Sequence, residues 1–125
     1  MAGGVVANQI NTDFGVFQNN NAYSGIAKAW IYYNGSTQTV VNSFNVSSVT
    51  RNGTGDYTIT FATAMPNANY ATVGAVQNST SNYGWCFTPN YNAAPTTSAV
   101  RVGTSTAGGA SLSDVAYCNV IVLGS

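Results

Sequence analysis

The feature that most constrains the fold is a repeated alternation of apolar and polar residues with a period of two. In the segment DYTITFAT, Tyr57, Ile59 and Phe61 alternate with Thr58 and Thr60. The apolar side chains therefore fall on one face of an extended strand. No window shows the apolar spacing of an amphipathic helix together with the Leu, Glu, Lys and Ala that helices favour. The chain is predicted to be all-β.

Turn residues divide the chain into about seven or eight short strands. Asn34-Gly35 suits a tight turn because Asn and Gly tolerate positive φ, and residues 52–55 predict a hairpin into the next strand. The last strand is apolar on both faces, which predicts a central strand covered on both sides or by a neighbouring subunit. This pattern indicates a sandwich or a barrel, and we expect an antiparallel β-sandwich that is jelly-roll-like. The predicted strands are residues 27–33, 40–46, 56–63, 70–76, 83–87, 99–104 and 115–123.

The alternation also assigns several side chains to the interior of the sandwich. Cys86 and Cys118 each lie in an apolar run without metal-ligand spacing, so both are predicted to be buried, reduced thiols. A bridge between them stays open, because spacing alone cannot decide it. The aromatic residues predicted to lie in the core are Trp30, Tyr57, Phe61 and Tyr70.

Residues 1–25 are predicted to form an extended N-terminal arm outside the sandwich domain, which takes up residues 26–125. The arm shows weak patterning and ends in a polar, Asn-rich run. Its apolar side chains are expected to dock on a partner or a neighbouring copy, since burying each one is worth roughly 1.5–3 kcal/mol. The predicted attachment residues are Val5, Val6, Ile10, Phe14 and Phe17.

Charge excludes two classes of partner. Only 5% of the residues are charged, with three cations balancing three anions. Three dispersed cations cannot neutralise a phosphate backbone, so nucleic acid is not expected as a partner. The same shortage argues against anionic membranes, and no apolar run approaches the roughly 20 residues of a bilayer span. A neutral surface rich in Asn, Ser and Thr instead suits permanent packing against other subunits, and a homotrimer is expected.

No residue pattern points to catalysis, a metal or a cofactor. The chain has no histidine, the group that most often performs acid–base chemistry. Asp56 and Asp114 each precede a strand, where aspartate commonly accepts hydrogen bonds from a turn. The glycine-rich segments lack the lysine and following helix of a phosphate loop. We therefore expect no catalytic, metal-binding or cofactor-binding residues.

Aromatic side chains are the remaining candidates for a recognition site. Tyr83, Trp85 and Tyr91 lie in or near predicted loops, and an exposed Tyr or Trp can stack on a sugar ring and hydrogen-bond at its polar end. The competing interpretation places these rings in the core or in a subunit interface.

A long motif resembles a module that recurs in tailed bacteriophages, at the ends of tail fibres and in short virion proteins. The resemblance is densest in FNVSSVTRNGTGDYTITF at residues 44–61 and continues in AMPNANY at residues 64–70. Residues 28–30, 34–36 and 120–124 are also similar to it. The resemblance implies a trimeric, all-β structural protein without catalytic residues.

Two functions fit this resemblance. The short stretch before the module leaves no room for a fibre shaft, so the expected function is a capsid decoration, or cement, protein held by its arm to the major capsid protein. The alternative is a tail-fibre or tail-tip adhesion subunit that contacts other tail subunits and a host-surface glycan. Either protein would be synthesised in the host cytoplasm, as expected for a start without a secretory signal, and displayed on the virion surface.

Overall fold

Two four-stranded antiparallel sheets form a β-sandwich in the computed structural model, which confirms the predicted all-β fold. The structure describes residues 9–12, 15–18, 25–78, 84–109 and 111–124. The strands are β1 (Gln9–Thr12), β2 (Gly15–Gln18), β3 (Ala27–Asn34), β4 (Thr39–Phe44), β5 (Val46–Gly53), β6 (Asp56–Phe61), β7 (Ala71–Gln77), β8 (Cys86–Pro89), β9 (Ala99–Ser105) and β10 (Tyr117–Leu123).

The chain builds the two sheets largely from hairpins. The first sheet has the order β4-β3-β10-β7, and the second has the order β5-β6-β9-β8. Strands β3 and β4, β5 and β6, and β8 and β9 pair with their neighbours in sequence. Strand β10 returns at the end of the chain to lie between β3 and β7. The last strand is central, as predicted, but it is not covered on both sides within the chain, because Tyr117 and Ile121 on its outer face are 41% and 45% exposed.

The core lies between the sheets and is filled by the inward positions of β3, β6, β9 and β10. Tyr57, Ile59 and Phe61 of β6 are buried, while Thr58 and Thr60 are half-buried on its other face. The alternation read from the sequence is therefore confirmed in this strand. Two edge-to-face ring contacts stabilise the core. The ring centroids of Tyr33 and Tyr57 are 5.4 Å apart, and those of Phe61 and Tyr70 are 5.7 Å apart.

The predicted core position of Trp30 is wrong. Strand β3 turns Ala29, Ile31 and Tyr33 inward, so the alternation places Trp30 and Tyr32 on the outer face of the sheet. Apolar residues occupy both faces of β3, and its pairing with β10 decides which face is buried. The sheet therefore buries a small residue and leaves an indole at its surface.

Hydrogen bonds of Asn45 stabilise the corner at which the chain passes from one sheet to the other. The predicted strand at 40–46 is interrupted at Asn45, which has a φ of 53° between β4 and β5. Its amide nitrogen donates to the carbonyl oxygens of Lys28 and Thr63 at 3.0 and 3.1 Å, and its Oδ1 accepts from the Thr63 N–H at 2.7 Å. Asparagine tolerates positive φ and supplies both donors and an acceptor, so it suits this corner.

In the predicted arm, β1 and β2 form an antiparallel hairpin with Ile10 opposite Phe17. The first strand of the sandwich begins only at Ala27. Val5, Val6 and Phe14 lie outside the described residues. The docking role expected for the five arm residues stays a prediction.

Candidate functional site

A row of four apolar side chains crosses the outer face of the β4-β3-β10-β7 sheet. Trp30 of β3 pairs with Phe44 of β4 on one side and with Ile121 of β10 on the other, and Ile121 pairs with Val73 of β7. Their neighbours along each strand turn inward, so the row faces away from the core. Val73 is 56% exposed, Phe44 53% and Ile121 45%. We call Phe44, Trp30, Ile121 and Val73 the apolar row.

A second line of residues lies beside the apolar row on the same face. Tyr32 pairs with Asn42 and with Asn119, and Asn119 pairs with Ala75. The ring of Tyr32 also stacks on that of Tyr117, with centroids 6.4 Å apart. This contact is the diagonal cross-strand pairing that suits large aromatic side chains. The outer face therefore combines apolar and aromatic groups with uncharged amides.

The two sheets differ sharply in charge. Lys28 is the one charged residue in the four strands of the first sheet. The second sheet carries Arg51, Asp56 and Arg101 in its strands. Its outward residues are mainly hydroxyl and amide side chains, such as Ser48. One molecule thus has a nearly neutral, apolar sheet face and a polar one.

An open depression lies on the apolar face between β3 and β10. It has a volume of about 210 Å³ and an almost wholly apolar lining. Trp30 and Ile121 of the apolar row border it, with Tyr32 and Asn119 beside them. Ligand sites for small molecules usually enclose about 300–1,000 Å³. The depression is below that range and is closer to the space that one or two protein side chains fill.

Strand β4 forms an edge of its sheet next to the apolar face. It is the outermost strand of its sheet, and Val40 and Val41 are exposed in addition to Phe44. A bulge between Tyr32 and Tyr33 makes Val41 an extra residue on β4. The strand contains neither charge nor proline, the residues that commonly protect a sheet edge from pairing with another chain.

Four of the six charged residues are held in two intramolecular ion pairs. Arg51 of β5 donates to both carboxylate oxygens of Asp114, at 2.8 and 3.1 Å. Asp114 also accepts from the Gly55 N–H at 2.8 Å and from the Tyr57 hydroxyl at 2.6 Å. The contact with Gly55, in the turn between β5 and β6, fits the turn role expected for Asp114. The carboxylate thus joins this turn to the segment before β10.

The second ion pair links β6 and β9, which are neighbouring strands of the second sheet. Arg101 of β9 donates twice to the carboxylate of Asp56, the first residue of β6. Asn52 donates to the same carboxylate at 3.1 Å. Asp56 therefore bonds to side chains rather than to the turn backbone. Both described aspartates are engaged in holding strand ends.

These contacts favour the ionised form of both carboxyl groups. Hydrogen bonds from Arg101 lower the pKa of Asp56 below its usual value. Burial alone would raise the pKa of Asp114, but hydrogen bonds from Arg51, Gly55 and Tyr57 outweigh it and the pKa is lowered. A general acid at neutral pH needs a raised carboxyl pKa. Neither aspartate has that property.

The cysteines are free and differ in burial. Cys118 is buried on β10 opposite Tyr33, whereas Cys86 on β8 is half-buried, so burial as predicted holds fully only for Cys118. Burial raises the pKa of the Cys118 thiol to about 11. A thiol with so little thiolate at neutral pH is a poor nucleophile.

The aromatic recognition candidates lie in different surroundings. Trp85 is half-buried and packs against the core. The half-buried ring of Tyr91 covers β9 at Gly103. The backbone N–H of Tyr91 donates to the carbonyl oxygen of Arg101 at 2.9 Å. Tyr83 lies outside the described residues. The recognition role of the three residues stays a prediction.

Sequence reasoning missed the apolar row as a surface. It noted that β10 has two apolar faces, but it assigned Trp30 to the core. Pairing of Trp30 with Phe44 and Ile121 depends on two separate strand registers. The sequence signal that could have indicated this surface was the small number of charged residues in segments 27–34, 39–44, 71–77 and 117–123.

Comparisons with known proteins identify no relative: no protein-family model, curated protein or solved structure matches the chain. Within the described segments, no three His, Cys, Asp or Glu side chains are grouped to hold a metal ion. The part of the chain that the structure describes also contains no helix of the length and apolarity needed to cross a membrane.

Proposed function

We propose that the chain is a non-enzymatic structural protein of a tailed-bacteriophage particle, and specifically a decoration protein on the capsid surface. The observation that carries this proposal is the apolar row, three of whose four side chains are exposed, on a nearly neutral sheet face. Exposed contiguous apolar surface marks sites of protein association. Such a surface fits a protein whose function is to be packed against other subunits.

The use of the charged residues supports a function without chemistry. Arg51, Asp114, Arg101 and Asp56 bind one another across strands and turns. The pKa values of Asp56 and Asp114 are both lowered, which favours the ionised carboxylates. A group that exchanges protons with a substrate needs a pKa near the working pH. The described carboxylates stabilise the sandwich.

Decoration of the capsid is favoured by the apolar residues of the arm. Val5, Val6, Ile10, Phe14 and Phe17 precede the first strand of the sandwich, so they form an attachment element separate from the eight core strands. In this proposal the arm binds the major capsid protein and the sandwich associates as a homotrimer on the virion surface. Synthesis in the host cytoplasm precedes assembly.

The second candidate function is host adhesion at the tail. The resemblance of residues 44–61 to a module at the ends of tail fibres favours it. In that case the loops carry recognition, including the one around Tyr91, where Asn90 and Asn92 both have a φ of 54°. The partners are then tail subunits and a host-surface glycan.

Substitutions in the arm test attachment. The full chain carrying Val5→Ser, Val6→Ser and Ile10→Ser is mixed with capsids that lack the protein, and the bound fraction is measured by sedimentation. If the arm holds the capsid, binding weakens at least about tenfold, because losing even one buried side chain worth roughly 1.5–3 kcal/mol has that effect. The matched control replaces Asn19, Asn20 and Asn21 with Ser in the same arm.

The outcomes separate the two functions. Loss of capsid binding in the apolar variant alone supports decoration. Equal binding by both variants contradicts attachment through the arm. If the wild-type chain binds tails but not capsids, and substitutions near Tyr91 change adsorption to cells, the adhesion function replaces the decoration function.

A further inference from the structure

We propose that copies of this chain pack against one another through the outer face of the β4-β3-β10-β7 sheet, with the apolar row at the centre of the contact. The proposal rests on the homotrimer of the proposed function and turns this face of each copy toward the threefold axis, where it meets the same face of the other two copies. It does not depend on where the protein sits on a particle, so the two can fail separately.

The charge of the face favours a second copy over a charged partner. Lys28 is the only charged residue in the four strands, and it lies two residues before Trp30 on β3. A strongly charged partner surface would lose hydration at this face without gaining counter-charges. A second copy brings the same neutral mixture of aromatic, aliphatic and amide groups. Burial of that surface costs no unpaired charge in the centre.

The shape of the face also fits another copy. Sheets pack face to face about 10 Å apart when their outward side chains interdigitate. The depression between Trp30 and Ile121 holds about 210 Å³, which suits a side chain from an opposing face. Exposed apolar side chains of suitable size stand at both ends of the apolar row, at Phe44 and Val73. Anchors that fill a pocket near the centre carry most of the energy of an interface.

The area of the face sets the strength expected of the contact. Four strands about 4.8 Å apart, each about seven residues long at about 3.3 Å per residue, cover roughly 440 Å² in projection. A standard interface buries about 800 Å² of accessible surface on each partner. The sheet face therefore forms a small interface by itself. The exposed β4 edge, with Val40 and Val41, adjoins it and extends the apolar area.

Charge insertion into the apolar row tests the proposal on the full chain. Ile121→Lys places an ammonium group at the centre of the row, and Ser48→Lys places the same group at an exposed position of β5 in the other sheet. Mass is measured by light scattering and sedimentation over a micromolar concentration range. We expect the wild-type chain and Ser48→Lys to associate alike, while the dissociation constant of Ile121→Lys rises at least about tenfold, as for one uncompensated charge.

A second variant guards against loss of folding. Val73→Lys alters an edge strand at a side chain that is 56% exposed, so it leaves the core intact. Circular dichroism must show the wild-type fold in each variant that is compared. Weaker association of Ile121→Lys or Val73→Lys, with Ser48→Lys unchanged, supports the proposal. A wild-type chain that stays monomeric, or variants that all associate equally, overturns it.

Discussion

Removal of the Asp114 carboxylate should destabilise the sandwich more than a surface charge normally does. Asp114→Ala deletes the acceptor of the Gly55 N–H and of the Tyr57 hydroxyl, at 2.8 and 2.6 Å. Hydrogen bonds to a charged group contribute about 1.5–3 kcal/mol each. The Asp114 side chain is 23% exposed, and the single proton of the Tyr57 hydroxyl can turn to the Gly35 carbonyl oxygen at 3.1 Å, so the total is reduced. We expect the free energy of unfolding to fall by about 2–4 kcal/mol.

Asp114→Asn separates the charge from the shape of the side chain. Because the folded-state pKa of Asp114 is lowered, its ionisation stabilises the fold above the unfolded-state value of about 3.9. That stabilisation is lost as the pH falls through the folded-state pKa. The difference in unfolding free energy between wild type and Asp114→Asn should therefore be largest near neutral pH and shrink below a pH of about 4. The contribution of Asp56 is common to both proteins and cancels in the difference.

Urea unfolding at several pH values measures this difference. The same titration on Tyr57→Phe and on the double variant gives the coupling between the hydroxyl and the carboxylate. We expect the double variant to be less destabilised than the sum of the single ones, since both remove the same hydrogen bond. A difference between wild type and Asp114→Asn that stays constant from neutral to acid pH would refute the assigned role of the charge.

Three further predictions concern packing and the thiols. Asn45→Ala should lower the free energy of unfolding by about 2–3 kcal/mol, and Asn45→Gly by less, because Gly adopts a positive φ readily but does not replace the hydrogen bonds. Equal losses of unfolding free energy for the two variants in urea would contradict this. Gly74→Ala should cost about 1–3 kcal/mol, since its Cβ would overlap the Phe87 ring, and Phe87→Leu in the same chain should recover part of the loss. A maleimide probe at neutral pH should label the half-buried Cys86 before Cys118, whose labelling should require denaturant; equal rates in the native protein would be inconsistent with the burial of Cys118.

The sequence predicted the two-sheet β fold, but it did not predict which residues lie on the outer faces of the sheets. Alternation in β6 correctly placed Tyr57, Ile59 and Phe61 inside, because only one face of that strand is apolar. Strand β3 carries apolar residues on both faces, so the sequence alone could not decide between Ala29 and Trp30. The register with β10 decides it, and that pairing joins residues about ninety positions apart.

Local sequence patterns could not predict the ion pairs or the corner at Asn45, because in both cases the partner groups lie in distant segments of the chain. Arg51 and Asp114 are 63 residues apart, and nothing in either segment indicates the other. Asn45 lies in a run of strand-forming residues, and its corner is defined by carbonyl groups of Lys28 and Thr63 in other segments. The absence of histidine and the low charge were visible in the sequence, and they motivated the expectation of a function without catalysis.

The number and position of the copies on purified virions test the proposed decoration function most directly. Quantitative mass spectrometry against the major capsid protein gives the copy number, and immunogold labelling gives the position. Decoration predicts copies in proportion to the capsid protein and label spread over the shell. A few copies per particle, with label confined to the tail end, would contradict decoration and favour host adhesion.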